Sequence, residues 1–194
     1  MRACVLALHY HAMSIELPQK IQGRKRDARI TLVTAMYNEK YVQAMLQHCL
    51  EELAEEYPFS DFEVIQVPGS FEIPMMVRRA IVEPASREVP EAVIALGVII
   101  RGETAHADLV GNNVARKLMD ISCETLVPVI NEVLLLNNEQ QAFARCIAST
   151  LNRGREAARA AIRMVNLREE HEATNRRFSQ GAAGPEQPKL KSQR

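Results

Sequence analysis

Ala92-Val93-Ile94-Ala95-Leu96-Gly97-Val98-Ile99-Ile100 is the most apolar run in the chain, and it breaks at once into Arg101-Gly102-Glu103-Thr104-Ala105-His106-Ala107-Asp108. An apolar run that does not alternate with polar residues reads as a strand buried on both faces, the kind found inside a parallel sheet. Apolar residues recur at helical spacing from Leu109 to Leu126, so a helix is expected there. Charge, glycine and one histidine separate the two. N–H groups at a helix start have no intrahelical partner, and the helix dipole favours an anion beside them. His106 adds an imidazole able to move protons near neutral pH. The octapeptide therefore reads either as a polar ligand site or as an ordinary loop with a solvated histidine.

Working outward, the same alternation recurs. Arg29 to Met36 is β-branched and apolar, a first strand. Asn38 is placed to cap the next helix, where Val42, Met45, Leu46, Cys49, Leu50 and Leu53 recur at helical spacing until Pro58 closes it. Phe62 to Val67 reads as a second strand. In Pro68-Gly69-Ser70-Phe71-Glu72-Ile73-Pro74, proline suits the first helical position, which leaves Gly69 to Glu72 as irregular backbone. That stretch is a plain turn or a set of amides and one carboxylate open to a hydroxyl-rich ligand. The helix it leads into continues through Met76, Val77, Ala80 and Ile81, and Pro84 to Pro90 is a loop. Val110, Val114, Leu118 and Ile121 mark the buried face of the helix after the opening stretch. Val127 to Leu136 is a fourth strand. Asn137 or Asn138 caps a helix containing Phe143 and Ile147, and a last helix begins near Asn152-Arg153-Gly154 and buries Ala158, Ala161, Ile162 and Val165.

Strands alternating with helices call for a parallel sheet covered on both faces, a three-layer α/β/α sandwich. Right-handed crossovers leave few topologies, and the flavodoxin-like order 2-1-3-4 is the expected one. Residues 1–28 form an arm ending in Arg24-Lys25-Arg26, residues 29–168 the α/β domain, and residues 169–194 a polar, disordered tail.

In such a sheet, ligands sit beyond the carboxyl ends of the strands. Those ends are Tyr37-Asn38, Gly69 to Glu72, Arg101 to His106 and the region after Leu135. Three of them are the stretches already distinguished by their chemistry. Tyr37 is a stacking platform for a flat heterocycle or a locally packed aromatic. Asp108 orients His106 or favours the helix start electrostatically. Either Arg145 or Arg153 can clamp a phosphate, although helix arginines are commonly solvated.

Charge and composition exclude several classes. With 24 basic and 24 acidic residues among 194, the net charge is zero, and no global field favours nucleic acid or a membrane. No apolar run approaches a transmembrane helix, and the run before His9-Tyr10-His11 is too short for a signal peptide. Cys4, Cys49, Cys123 and Cys146 lack CxxC spacing. Cys49 and Cys123 sit among apolar helix positions and read as reduced core thiols of a cytoplasmic protein. No metal-ligand spacing, Walker loop, GxGxxG, GxSxG or nucleic-acid-binding signature is present.

Val67-Pro-Gly-Ser-Phe-Glu-Ile-Pro74, Ala95-Leu-Gly-Val-Ile-Ile-Arg-Gly-Glu-Thr-Ala-His106 and Asn152-Arg-Gly154 together resemble the lumazine synthase family, in order and spacing, over residues 29 to 168. The resemblance implies condensation of 5-amino-6-(D-ribitylamino)uracil with 3,4-dihydroxy-2-butanone 4-phosphate to 6,7-dimethyl-8-ribityllumazine. Phosphate and water are lost and no cofactor is needed. By the same resemblance Tyr37 would stack on the pyrimidine, and Ser70, Phe71 and Glu72 would hold the ribityl hydroxyls and ring edge. Val98, Ile99, Ile100, Asn131 and Arg153 would complete substrate binding. Glu103, Thr104 and Arg145 would bind phosphate, and His106 would be the general acid/base. Sites in the family form between neighbouring subunits of a pentamer, so the Asn131 region and Arg145 would serve the adjacent subunit. The short link Leu151 to Gly154 is compatible with a sixty-subunit shell, and riboflavin synthase is an implied partner.

Four positions depart from the family pattern. Asn131 stands where phenylalanine is common, Glu132 replaces a usual glycine, Leu136 falls near a common threonine, and Ala107 follows the histidine in place of an aromatic. Arg153 stands for a usual lysine. The changes at Asn131 and Glu132 motivate a second reading: a lumazine-binding or shell-forming protein of the same fold with weak or no turnover. A flavodoxin-like regulator, the third, lacks an acidic cluster after the first strand.

Overall fold

The computed structural model describes residues 19–20, 27–60, 62–85 and 88–181. The expected arm lies almost wholly outside them, with His9-Tyr10-His11, Arg24-Lys25-Arg26 and Cys4. Four parallel strands, β1 (Ile30–Ala35), β2 (Glu63–Val67), β3 (Ala92–Ile100) and β4 (Val129–Leu136), make one sheet in the order β2-β1-β3-β4. That is the flavodoxin-like order. Inner strands β1 and β3 are buried almost throughout, which is why their sequences run apolar without alternation.

Helices α1 (Glu39–Glu56), α2 (Ile73–Val82), α3 (His106–Thr125) and α5 (Arg153–Gly181) follow β1 to β4 in turn, with the single turn α4 (Glu139–Ala142) and a π turn (Phe143–Ile147) before α5. One core layer joins α1 and α5 to the sheet through Leu32, Ile94 and Leu96; the other joins α2 and α3 through Val33, Val93 and Ala95. Parity along each strand decides the layer, because successive side chains point to opposite faces.

The junction of α1 and α5 is close-packed. A Cβ on Gly154 would lie 2.1 Å from the carbonyl oxygen of Met45, so only glycine admits this crossing. Fully buried Asn152 caps α5: its Oδ1 accepts from Gly154 N at 2.9 Å, and its Nδ2 donates to the Cys146 carbonyl at 2.7 Å. Beside it the buried Glu52 of α1 accepts from Arg159 Nε at 2.7 Å and faces Arg155 at 3.6 Å, so the buried carboxylate is neutralised.

Several expectations are corrected. The tail expected from residue 169 begins as helix, since α5 continues to Gly181. Glu169, Glu170, Glu172, Ala173, Arg176, Arg177 and Gln180 in that span are good helix formers, with no proline before Pro185 to break the run, and overall polarity hid this. Cys123 is exposed, although Cys49 and Cys146 are buried free thiols. Asn38 occupies the N-cap of α1, but in a left-handed conformation (φ 58°) with no side-chain cap; its Nδ2 donates instead to the Val98 carbonyl at 2.7 Å. At the other predicted cap, Asn138 Oδ1 does accept from Gln141 N at 2.9 Å.

Candidate active site

The cleft at the carboxyl edge of the sheet is ≈ 570 Å³ and gathers residues from three strand ends. Tyr37 and Asn38 follow β1, Gly69 to Glu72 follow β2, and Val98 to Ile100 finish β3; His106, Leu109, Val110 and Asn113 of α3 form the remaining wall. Tyr37, Ser70, Phe71, Glu72, Val98, Ile99, Ile100 and His106 are thus brought together.

The β2 end is built as a rigid turn. Ser70–Glu72 is a 3-10 turn leading into α2, and Glu72 Oε2 accepts from Gly69 N at 2.9 Å. One carboxylate oxygen therefore fixes the turn and the other is left for a ligand. Buried Ser70 sits over β3, where a Cβ on Gly97 would stand 2.8 Å from its hydroxyl. Tyr37 and Phe71 stay exposed on either side, two aromatic faces in solvent.

The loop after β3 is held from outside. Arg101 N donates to the Leu136 carbonyl at 2.9 Å, extending the ladder, while the Arg101 guanidinium binds Asp108 at 2.6 Å and also Asn137. Asp108 is therefore the strut of the loop and not the orienter of His106. Arg101 holds its carboxyl below the ordinary carboxylate range through that hydrogen bond. Glu103 and Thr104 are exposed, and Thr104 Oγ1 lies 3.5 Å from His106 N. The first-turn amides of α3 have no carbonyl partner within the helix, and that of His106 faces Thr104 Oγ1.

Helix α3 starts at His106, three residues before the expected position. That shift explains the residues missed. Leu109, Val110 and Asn113 lie at helical spacing from His106 and share its face, so a helix drawn from His106 would have put them in the site.

Five sequence candidates do not line this cleft: Glu103 and Thr104 in the loop after β3, and Asn131, Arg145 and Arg153 on other elements. Asn131 is paired with Ala95, whereas Leu136 is paired with Ile100 at the cleft edge, a separation of roughly 16 Å along the strand. On this edge strand Asn131 is exposed and its Oδ1 accepts from Val133 N at 3.1 Å, covering one free edge amide. Arg145 is half-buried in the π turn, and Arg153 pairs with Glu156 at 2.6 Å at the start of α5. Among the described residues no cluster of three or more His, Cys, Asp or Glu is arranged to hold a metal ion.

A family model described as 6,7-dimethyl-8-ribityllumazine synthase matches residues 27–169. Curated relatives carry the same description. The protein of Nitrobacter hamburgensis is 36% identical over 152 residues, covering 78% of this chain and 92% of its own. That of Methylibium petroleiphilum is 40% identical over 143 residues, with 73% and 84% covered. An archaeal protein, from Thermococcus kodakarensis, is 37% identical over 139 residues, with 72% and 85% covered.

Proposed function

The chain belongs to the 6,7-dimethyl-8-ribityllumazine synthase family, and from that premise we propose how its residues divide the work of the reaction. The reaction is the transferase step of riboflavin biosynthesis that joins 5-amino-6-(D-ribitylamino)uracil to 3,4-dihydroxy-2-butanone 4-phosphate, releasing phosphate and water. The observation that carries the assignment is the convergence of Tyr37, the Gly69–Glu72 turn and His106 on one cleft.

Tyr37 stacks on the pyrimidine. Ser70, Phe71 and Glu72 take the ribityl chain and ring edge, the free oxygen of Glu72 accepting from hydroxyl or ring N–H groups, with Val98, Ile99 and Ile100 beneath. Amides at Glu103 and Thr104 and the start of α3 receive the phosphate, and Arg145 of a neighbouring subunit supplies its counter-charge. The amino group attacks the ketone, and water leaves as the imine forms. Phosphate is then expelled, and the ribityl nitrogen closes the second ring with loss of water. His106 carries protons between these steps.

The family acts on small molecules and is generally oligomeric. For this chain we infer a pentamer whose neighbour closes the cleft with Asn131, Arg145 and Arg153. Exposed Met36, Phe71, Met75 and Leu109 around the cleft support burial against another copy. A sixty-subunit shell, contact with riboflavin synthase and a cytoplasmic location belong to the same proposal. Among the described residues no helix is long and apolar enough to cross a membrane.

Mixing the purified chain with both substrates and following the fluorescence of the lumazine tests the assignment. Product is expected, and His106→Ala is expected to lower turnover about a hundredfold. No product at high enzyme concentration would favour the non-catalytic shell protein; unchanged turnover in the variant would remove His106 from the mechanism.

A further inference from the structure

Strand β1 runs beside β3 only as far as the pair Thr34–Leu96, whereas β3 continues along β4 to Ile100. Backbone groups of β3 turn alternately toward its two neighbours, and the amides of Val93 and Arg101 serve the β4 side. Val98 has the opposite parity, so its carbonyl turns to the β1 side, past the last paired residue of β1. The donor that meets it there is the side chain of Asn38, Nδ2 at 2.7 Å. Asn38 thus supplies a rung that the sheet lacks.

On its other side the same segment stays tied to β2. Met36 N donates to the Val67 carbonyl at 2.9 Å, and Tyr37 N to the Pro68 carbonyl at 3.2 Å. Tyr37 and Asn38 therefore straddle the end of the sheet, one held from β2 and the other from β3. Asn38 is left-handed at this point (φ 58°, ψ 38°), a conformation that few side chains besides asparagine tolerate. Among the described residues only Leu126 shares a positive φ outside glycine. Gly69 bounds the Tyr37 ring, since a Cβ there would stand 3.1 Å from Cδ2. Tyr37, Asn38, Gly69 and Val98 all line the cleft.

We propose that Asn38 is a positioning residue for the aminouracil. Its hydrogen bond to Val98 and its left-handed backbone set the gap between the Tyr37 ring and the end of β3, in which the heterocycle stacks. The inference rests on the reading of Tyr37 as the stacking residue. The physical basis is the fit that a flat ring requires: a gap of roughly 0.5–1 Å already forfeits a quarter to a half of the contact energy. Tyr37 is 72% exposed, so its own packing does not hold it, and the backbone on either side must. Without the Asn38 amide that segment is tied to β2 alone. The loop after β3 is held by other groups, Leu136, Asp108 and Asn137 through Arg101, so the loss should fall on one substrate only.

The test is a fluorescence titration of the full chain with 6,7-dimethyl-8-ribityllumazine, beside steady-state kinetics, for wild type, Asn38→Gly, Asn38→Asp and Tyr37→Ala. Glycine takes the left-handed backbone freely but donates nothing. Aspartate tolerates the same backbone and sets an acceptor against the Val98 carbonyl. Both are expected to weaken lumazine binding and to raise the KM for the aminouracil roughly fivefold, as loss of one hydrogen bond would. The KM for the phosphorylated ketone and the inhibition constant of inorganic phosphate are expected to change less than about twofold. Equal losses for all of these ligands, or unchanged lumazine binding in Asn38→Gly, would overturn the proposal. Tyr37→Ala separates the two levels. If it weakens lumazine binding while Asn38→Gly does not, the stacking reading stands and the Asn38 inference falls; if it leaves binding unchanged, both fall. In the double variant Tyr37→Ala/Asn38→Gly the Asn38 effect is expected to disappear, and a loss equal to the product of the two single losses would also overturn the proposal.

Discussion

Asp108 and Glu132 are both carboxylates, and their surroundings send them in opposite directions. Exposed Asp108 gains a direct hydrogen bond from Arg101 and is held low, whereas Glu132 loses its water, gains no donor and rises to about 8. Between its ordinary 4.5 and about 8, Glu132 keeps a proton in the folded chain that the unfolded chain has released. Folded protein then binds more protons than unfolded, so this residue's contribution to stability falls as pH rises through that window and is fully lost above it. Glu132→Gln is expected to be more stable than wild type at the alkaline end, by an amount on the order of a few kcal/mol, and nearly equal at the acid end. Denaturant midpoints of both proteins at the two ends check this; parallel pH profiles would show that Glu132 ionises freely in the fold. The identity of Glu132 was plain in the sequence, as was its departure from the family's glycine. Its burial was not, because that depends on which layer the parity of β4 assigns it.

At the scale of elements, most boundaries follow from local chemistry. The β3 limits were readable to the residue, since an apolar run ending in Arg-Gly leaves no ambiguity. The start of α3 was not, because Ala105, His106 and Ala107 carry no apolar periodicity and the Leu109 signal begins later. Asn38 shows the opposite case: a good capping residue whose side chain is claimed by the Val98 carbonyl across the sheet edge. Asn152-Arg153-Gly154 combines both kinds of information. Asn152 caps α5 by local rules, but the reason for Gly154 is its approach to Met45 of α1. A methyl group 2.1 Å from a backbone oxygen cannot be absorbed by a rotamer change, so Gly154→Ala must push α5 away from α1. The expected loss is about 3 kcal/mol or more of unfolding free energy, read by thermal or denaturant melts. Loss of less than about 1 kcal/mol would mean the crossing is loose.

For the whole molecule, the chief consequence of the proposed pentamer is a site divided between copies of the chain. Tyr37, the Gly69–Glu72 turn and His106 share one cleft, whereas Asn131, Arg145 and Arg153 lie elsewhere on the same chain. If the second group serves a neighbour's cleft, His106→Ala and Arg145→Ala should rescue each other. In a co-assembled equal mixture about a quarter of the sites would hold both native residues, so activity should return to about that fraction of wild type. A mixture no more active than the separate variants, or a monomer by light scattering, would contradict the shared site. The sequence by itself determined the alternation of strands and helices, the sheet order and three of the strand ends that meet in the cleft. Those depend on periodicity, turn chemistry and handedness, which act within a few residues or through general rules of chain connection. Tertiary structure alone decided that Glu132 is buried and that Asp108 is a strut for Arg101. Each of those follows from which groups remote segments bring into contact, and desolvation and charge take their values only there.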